Sequence, residues 1–118
     1  MIRAIDHVQL AMPRGGEALA RKFYEDLLGL TEVPKPAALV GNGGCWFGTG
    51  DVRLHLGAEE EFRPAKKAHP GLLVSEFDEL IIRLRGAGIE VREDYEKADV
   101  VRAFISDPFG NRIELIKL

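Results

Sequence analysis

The chain is predicted to be an α+β protein made of two βαβββ modules. Two observations carry this. Asp6-His7-Val8-Gln9-Leu10 opens the first half and Ala68-His69-Pro70-Gly71-Leu72-Leu73-Val74 opens the second. At nearly the same spacing, each half closes on a strand that sets one polar residue among apolar ones, Arg53-Leu54-His55-Leu56 and Arg112-Ile113-Glu114-Leu115. Between opening and close, each half carries one stretch of helical periodicity followed by short β-rich segments bounded by Gly and Pro. The repeat pairs His7 with His69 and His55 with Glu114, which are all three histidines of the chain and one carboxylate.

The elements follow in order. Residues 3–11 alternate as a strand, with His7, Gln9 and Ala11 on one face and Val8 and Leu10 on the other. Pro13-Arg14-Gly15-Gly16 breaks it. A helix over about 17–28 puts Ala20, Phe23, Leu27 and Leu28 on one stripe, and Gly29 suits its C-terminal cap. Strands are expected at 30–34, 37–41, 45–48 and 52–57, separated by Pro34-Lys35-Pro36, Asn42-Gly43-Gly44 and Gly48-Thr49-Gly50-Asp51. In the second half a strand at 70–75 leads into a helix at 76–86. There Phe77, Leu80, Ile81 and Leu84 fall at i, i+3, i+4 and i+7. Strands at 89–93, 100–106 and 111–117 complete it, the last two joined by the turn Asp107-Pro108-Phe109-Gly110-Asn111. The modules span about 1–57 and 69–118, with a charged connector at 58–68 that includes Glu59-Glu60-Glu61.

Composition narrows the function. The 118 residues are 46% hydrophobic and 30% charged, with a net charge of −3, as in an ordinary soluble domain. No basic block or basic helix suggests nucleic acid as a partner. No long apolar run suggests a membrane span, and a cytoplasmic location is the default expectation. A single cysteine, Cys45, excludes an intramolecular disulfide and a CxxC zinc site. Placed beside Gly43, Gly44 and Trp46, it reads as a small buried residue rather than a nucleophile.

The strand period of two makes the paired residues a candidate site. Val52, Leu54 and Leu56 suit a helix-covered face, leaving Arg53 and His55 on the other. Ile113 and Leu115 leave Arg112, Glu114 and Ile116 opposite them. A carboxylate on the concave face of a curved sheet needs a positive or hydrogen-bonding partner. A divalent metal with imidazole co-ligands supplies one; an ion pair of Glu114 with Arg112 or Arg53 is the plainer alternative. Arg53 and Arg112 share the ligand face and are candidates for an anionic substrate group. Trp46 and Phe104 are candidates for the apolar wall of the cleft, or for simple core packing. Phe62, Arg63, Lys66 and Lys67 are candidates to close over the site.

Phe23-Tyr24-Glu25-Asp26-Leu27-Leu28-Gly29-Leu30, Asp107-Pro108-Phe109-Gly110-Asn111-Arg112-Ile113-Glu114-Leu115 and the opening Asp6-His7-Val8 resemble three motifs of the vicinal oxygen chelate superfamily. That superfamily includes glyoxalase I, fosfomycin-inactivating thiol transferases, ring-cleaving dioxygenases, epimerases and bleomycin-sequestering proteins. The resemblance implies a curved, half-barrel mixed sheet with helices on its convex face. It also implies a divalent metal (Zn, Ni, Mn or Fe) held by His7, His69 and Glu114. His55 stands where some members carry a glutamate and others no ligand, so the local pattern of glyoxalase I is not reproduced. Three roles remain open for His55: fourth ligand, unbound acid or base beside the metal together with Glu114, or a structural hydrogen bond. The implied chemistry is bidentate chelation of a small-molecule substrate through vicinal oxygens, by a lyase, isomerase or thiol transferase, the last with a thiol cosubstrate. A homodimer is the implied assembly. An Fe(II)-dependent dioxygenase and a metal-free drug-binding protein are the competing readings.

Overall fold

The computed structural model describes residues 1–95 and 99–118. The chain forms two compact units, Met1–Pro64 and Ala65–Leu118, dividing inside the charged connector. The first unit holds strand β1 (Val8–Met12), helix α1 (Glu17–Ala20) continuing as π-helical turns over Arg21–Leu27, and strands β2 (Thr31–Val33), β3 (Cys45–Thr49) and β4 (Val52–Ala58). The second holds β5 (Gly71–Val74), helix α2 (Phe77–Gly86), β6 (Arg92–Asp94), β7 (Arg102–Ser106) and β8 (Arg112–Lys117). Each unit is thus βαβββ, and each makes its own open, mixed four-stranded sheet. The strand orders, β1-β4-β3-β2 and β5-β8-β7-β6, are the same topology twice, with the first and last strands of each module parallel neighbours.

Alternation sorts the strands as expected. In the first unit Leu10, Met12, Cys45, Phe47, Leu54 and Leu56 are buried with Ala20, Phe23 and Tyr24 of the helix. The Tyr24 ring stacks on Phe47 at 5.5 Å. In the second, Ala103, Ile105, Ile113 and Leu115 are buried with Phe77, Leu80, Ile81 and Leu84 of α2. Each Leu, Ile, Phe or Met among them contributes about 1.5–3 kcal/mol by leaving water, so the helix-facing half of each sheet holds its module together. The other face is then free for polar work.

Two expectations are corrected. Residues 37–41 are not a strand: Ala37–Asn42 form 3₁₀ turns whose residues are all exposed. Pro34 and Pro36 remove backbone donors needed for a ladder, and the Leu39 N–H instead closes a turn on the Pro36 carbonyl at 2.8 Å. The stripe on the first helix also differs. Tyr24 is fully buried and Leu27 and Leu28 only half so. The Leu28 N–H reaches back five residues to Phe23 O, and this wider turn rotates the later residues off the core-facing line.

Candidate functional site

Cross-strand register builds one row of side chains on the helix-free face of each sheet. In the first it runs Gln9, His55, Trp46, Val33 across β1, β4, β3 and β2. In the second it runs Gly71, Glu114, Phe104, Arg92 across β5, β8, β7 and β6. The rows are equivalent by topology, so His55 matches Glu114 and Trp46 matches Phe104. His7 and His69 match as well, each standing two residues before the β1 or β5 member of its row.

In the first unit three rings stack. His55 lies on Trp46 with centroids 3.8 Å apart and planes 1° from parallel. His7 covers His55 at 4.3 Å. His55 is only 8% exposed. Burial first, and then the nearby His7, holds its pKa below the ordinary imidazole value, which keeps the ring neutral and a lone pair available. Asp6 steadies His7: its Oδ2 accepts from His7 Nδ1 at 2.9 Å, while its Oδ1 accepts from Arg53 at 3.0 Å. The His7 bond, helped by the Arg53 charge, keeps the Asp6 carboxyl below its usual range. Arg53 is therefore engaged by Asp6 rather than by Glu114.

In the second unit His69 Nδ1 lies 2.8 Å from the Lys67 carbonyl oxygen, and His69 Nε2 lies 3.0 Å from Glu114 Oε1. A carbonyl only accepts, so Nδ1 carries the proton. Nε2 faces a carboxylate oxygen at hydrogen-bond distance, so either a proton or a metal cation stands between the two. Two ligands about 2.1 Å from one ion and at right angles lie about 3.0 Å apart. The other Glu114 oxygen accepts from Arg102 Nη1 at 3.1 Å, and Arg102 also gives Nε and Nη2 to Asp94 Oδ2 at 3.2 and 2.8 Å. Burial would raise the Glu114 pKa, but the bonds from His69 and Arg102 outweigh it, and the carboxyl sits below its ordinary value. Arg102, not Arg112 or Arg53, is thus the ion-pair partner of Glu114.

The remaining candidates separate. Phe104 is buried, with His69 edge-on at 5.6 Å and Arg112 over its ring at 4.1 Å. Trp46 is half-buried and lines a cleft of 450 Å³ with His55 and Arg53. Phe104 and Arg112 line a second cleft of 560 Å³, to which the connector contributes Lys66. Cys45 is buried and its thiol is pushed up to about 11, first by burial, which leaves it inert at neutral pH. Arg102, Asp94 and the role of Asp6 were missed from sequence. Arg102 lies two residues before Phe104 and so on its face, a signal the period of two contained.

The donor types, imidazole and carboxylate, are those a divalent metal takes. His7 and His69 each have Nδ1 engaged by an acceptor, the arrangement that fixes a ligating imidazole and leaves Nε2 for the ion. Among the described residues no three His, Cys, Asp or Glu side chains gather closely enough to hold a metal. The candidates pair within units, His7 with His55 and His69 with Glu114. No described helix is long and apolar enough to cross a membrane.

This doubled βαβββ fold and its paired ligand-type residues define a class: the chain belongs to the Glyoxalase/Bleomycin resistance protein/Dioxygenase superfamily, whose model matches residues 4–115. A putative glyoxalase family protein from Bacillus anthracis is 49% identical, with a TM-score of 0.95 over 99% of this chain and 96% of that one. A lactoylglutathione lyase from Agrobacterium tumefaciens (24% identity, TM-score 0.70, 97% and 92% covered) shares the fold. So does a fosfomycin resistance protein from Listeria monocytogenes (15%, TM-score 0.78, 100% and 95%). No curated protein sequence matches the chain.

Proposed function

We propose that the protein is a metal-dependent enzyme of the glyoxalase type. The ligands assigned to its divalent ion are His7, His55, His69 and Glu114. The substrate is a small metabolite bearing vicinal oxygens. The observation that carries this reading is the pair of matched rows. The repeat places His55 at the position of Glu114 and His7 at that of His69, and His69 Nε2 and Glu114 Oε1 face each other at 3.0 Å, close enough to share one cation. By the same equivalence His55 is a ligand rather than a free base.

Such an ion supplies Lewis acidity toward an oxyanion or enolate of the chelated substrate. The residues of the chain do the rest. Asp6 and the Lys67 carbonyl hold the two imidazoles in one tautomer. Arg102 keeps Glu114 ionised and occupies its Oε2, leaving Oε1 to ligate. Trp46 and Phe104, flanking the ligand positions on the neighbouring strands, provide apolar walls that restrict water beside the reacting oxygens.

Elemental analysis tests the reading on protein purified without chelator and without a nickel affinity step. The expected result is one equivalent of a divalent metal per chain, lost in His7→Ala and in Glu114→Ala. Metal-free folded wild type would overturn it in favour of a binding protein. Iron together with oxygen consumption would make the chemistry that of a dioxygenase. Turnover of the hemithioacetal of methylglyoxal and glutathione would fix the reaction as that of a lactoylglutathione lyase. The reading includes a homodimer, which sedimentation of the purified protein supports at twice the chain mass and contradicts at once the chain mass.

A further inference from the structure

The 560 Å³ cleft of the second unit is lined by Lys66, Glu90, Arg92 and Arg112, with Phe104, Ile89, Ile105 and Ser106 between them. Three arginines approach the Phe104 ring: Arg92 and Arg102 at 5.0 Å and Arg112 at 4.1 Å. They differ in what their donors do. Arg102 spends its donors on Glu114 and Asp94. Arg92, Arg112 and Lys66 have no carboxylate partner among the described residues. A guanidinium seated near an aromatic ring is held in place while its N–H groups stay available at its edge. Here two are held by one ring, at the rim of one cleft, with an ammonium beside them.

We propose that this cleft is a binding site for a dianionic oxyanion, with Arg92 and Arg112 as its forks and Lys66 as a further charge. The three cations less the Glu90 carboxylate leave two positive charges, which a dianion neutralises and a monocarboxylate does not. Two guanidiniums offer paired donors to oxygens held in a plane or a tetrahedron, as in a phosphoryl group or a pair of carboxylates. The register ties the cleft to the candidate metal residues. Phe104 lies directly opposite Glu114 on the adjacent strand, and Arg92 directly opposite Phe104. The occupant is then the charged end of the substrate whose oxygens the metal would chelate, a point that rests on the proposed metal function. The anion site itself does not.

Isothermal titration calorimetry at fixed ionic strength tests it, with inorganic phosphate, malonate and acetate as probes. The protein is used as purified and again after chelation, so that a missing metal and a missing anion site give different results. Phosphate or malonate is expected to bind roughly tenfold or more tightly than acetate, with and without chelation. Arg92→Gln and Arg112→Gln should each weaken that binding roughly tenfold or more. Glu90→Gln should strengthen it, a gain that misfolding does not produce. Arg85→Gln, which disturbs only the pair with Glu93, should change nothing. Preference for phosphate marks a phosphoryl group as the occupant, and preference for malonate a dicarboxylate. Acetate binding as tightly as either dianion, no binding of either, or affinity indifferent to Arg92 and Arg112 would overturn the proposal.

Discussion

Replacing Asn111 by Leu should cost the second module a large part of its stability. Asn111 is 1% exposed and closes the turn that starts β8. Its Nδ2 donates to Asp107 Oδ2 at 3.0 Å and its Oδ1 accepts from the Ala65 N–H at 3.0 Å. The Ala65 carbonyl in turn accepts from the Arg112 N–H at 2.9 Å. The side chain therefore fastens the end of the connector, one residue from Lys66 and four from His69, to the strand that carries Arg112 and Glu114. A bond to an ionised carboxylate contributes about 1.5–3 kcal/mol, and stranding the Ala65 donor adds about 1 kcal/mol. Asp107 keeps two backbone donors on its other oxygen, from Phe109 and Asn111, which limits the damage there. Asn111→Leu should thus lose about 2.5–4 kcal/mol, or roughly 10–16 °C in Tm for a domain of this size. Urea denaturation followed by far-UV circular dichroism measures it. A loss under about 1 kcal/mol would refute the reasoning, because the turn would then hold the connector without its asparagine.

Other outcomes follow from the first module. The Glu17 carboxylate accepts from the Gly44 N–H at 3.0 Å, and this bond, first among its causes, holds its pKa below the ordinary 4.5. A lowered folded pKa gives stability that is present above 4.5 and lost as pH falls through the lower folded value. Glu17→Gln should therefore flatten the acid limb of a stability-versus-pH curve, and an unchanged limb would remove this contact from the account. Gly44 has φ +84°, and an added Cβ would run into the Leu56 carbonyl. Gly44→Ala should leave little folded protein by circular dichroism, whereas Gly41→Ala, with open space around it, should fold normally. Asp6→Asn keeps the size of the side chain that orients His7 but not its charge. Metal affinity in a competition titration should fall about 10–100-fold, and an unchanged affinity would leave His7 without the support assigned to Asp6.

The repeat made most of the fold legible. Period-two alternation in 52–56 and 112–116 separates Leu54 and Ile113 from His55 and Glu114 without any three-dimensional information, and the helix at Phe77–Gly86 follows from its apolar spacing. What escaped depends on neighbours. Ala37–Asn42 looks extended by composition, yet two prolines ahead of it and the lack of a partner strand leave it as turns. The half-exposure of Leu27 and Leu28 follows from the π-helical widening, a property of hydrogen bonding rather than of residue type. The stack of Trp46, His55 and His7 and the hold of Arg102 on Glu114 are set by cross-strand register. Register is decided by which strand lies beside which, and a single strand's sequence does not state it. Hence His55 and Glu114 were visible as candidates, while Asp94, Arg92 and Arg102 were not.

X-ray absorption at the edge of the bound metal probes the coordination most directly, because it counts scatterers without reference to turnover. Three imidazole nitrogens and a carboxylate oxygen, each at about 2.0–2.2 Å, with one imidazole lost in His55→Ala, are the expected spectrum. A shell of oxygen alone, or one unaltered when any of the three histidines is removed, would contradict that ligand set.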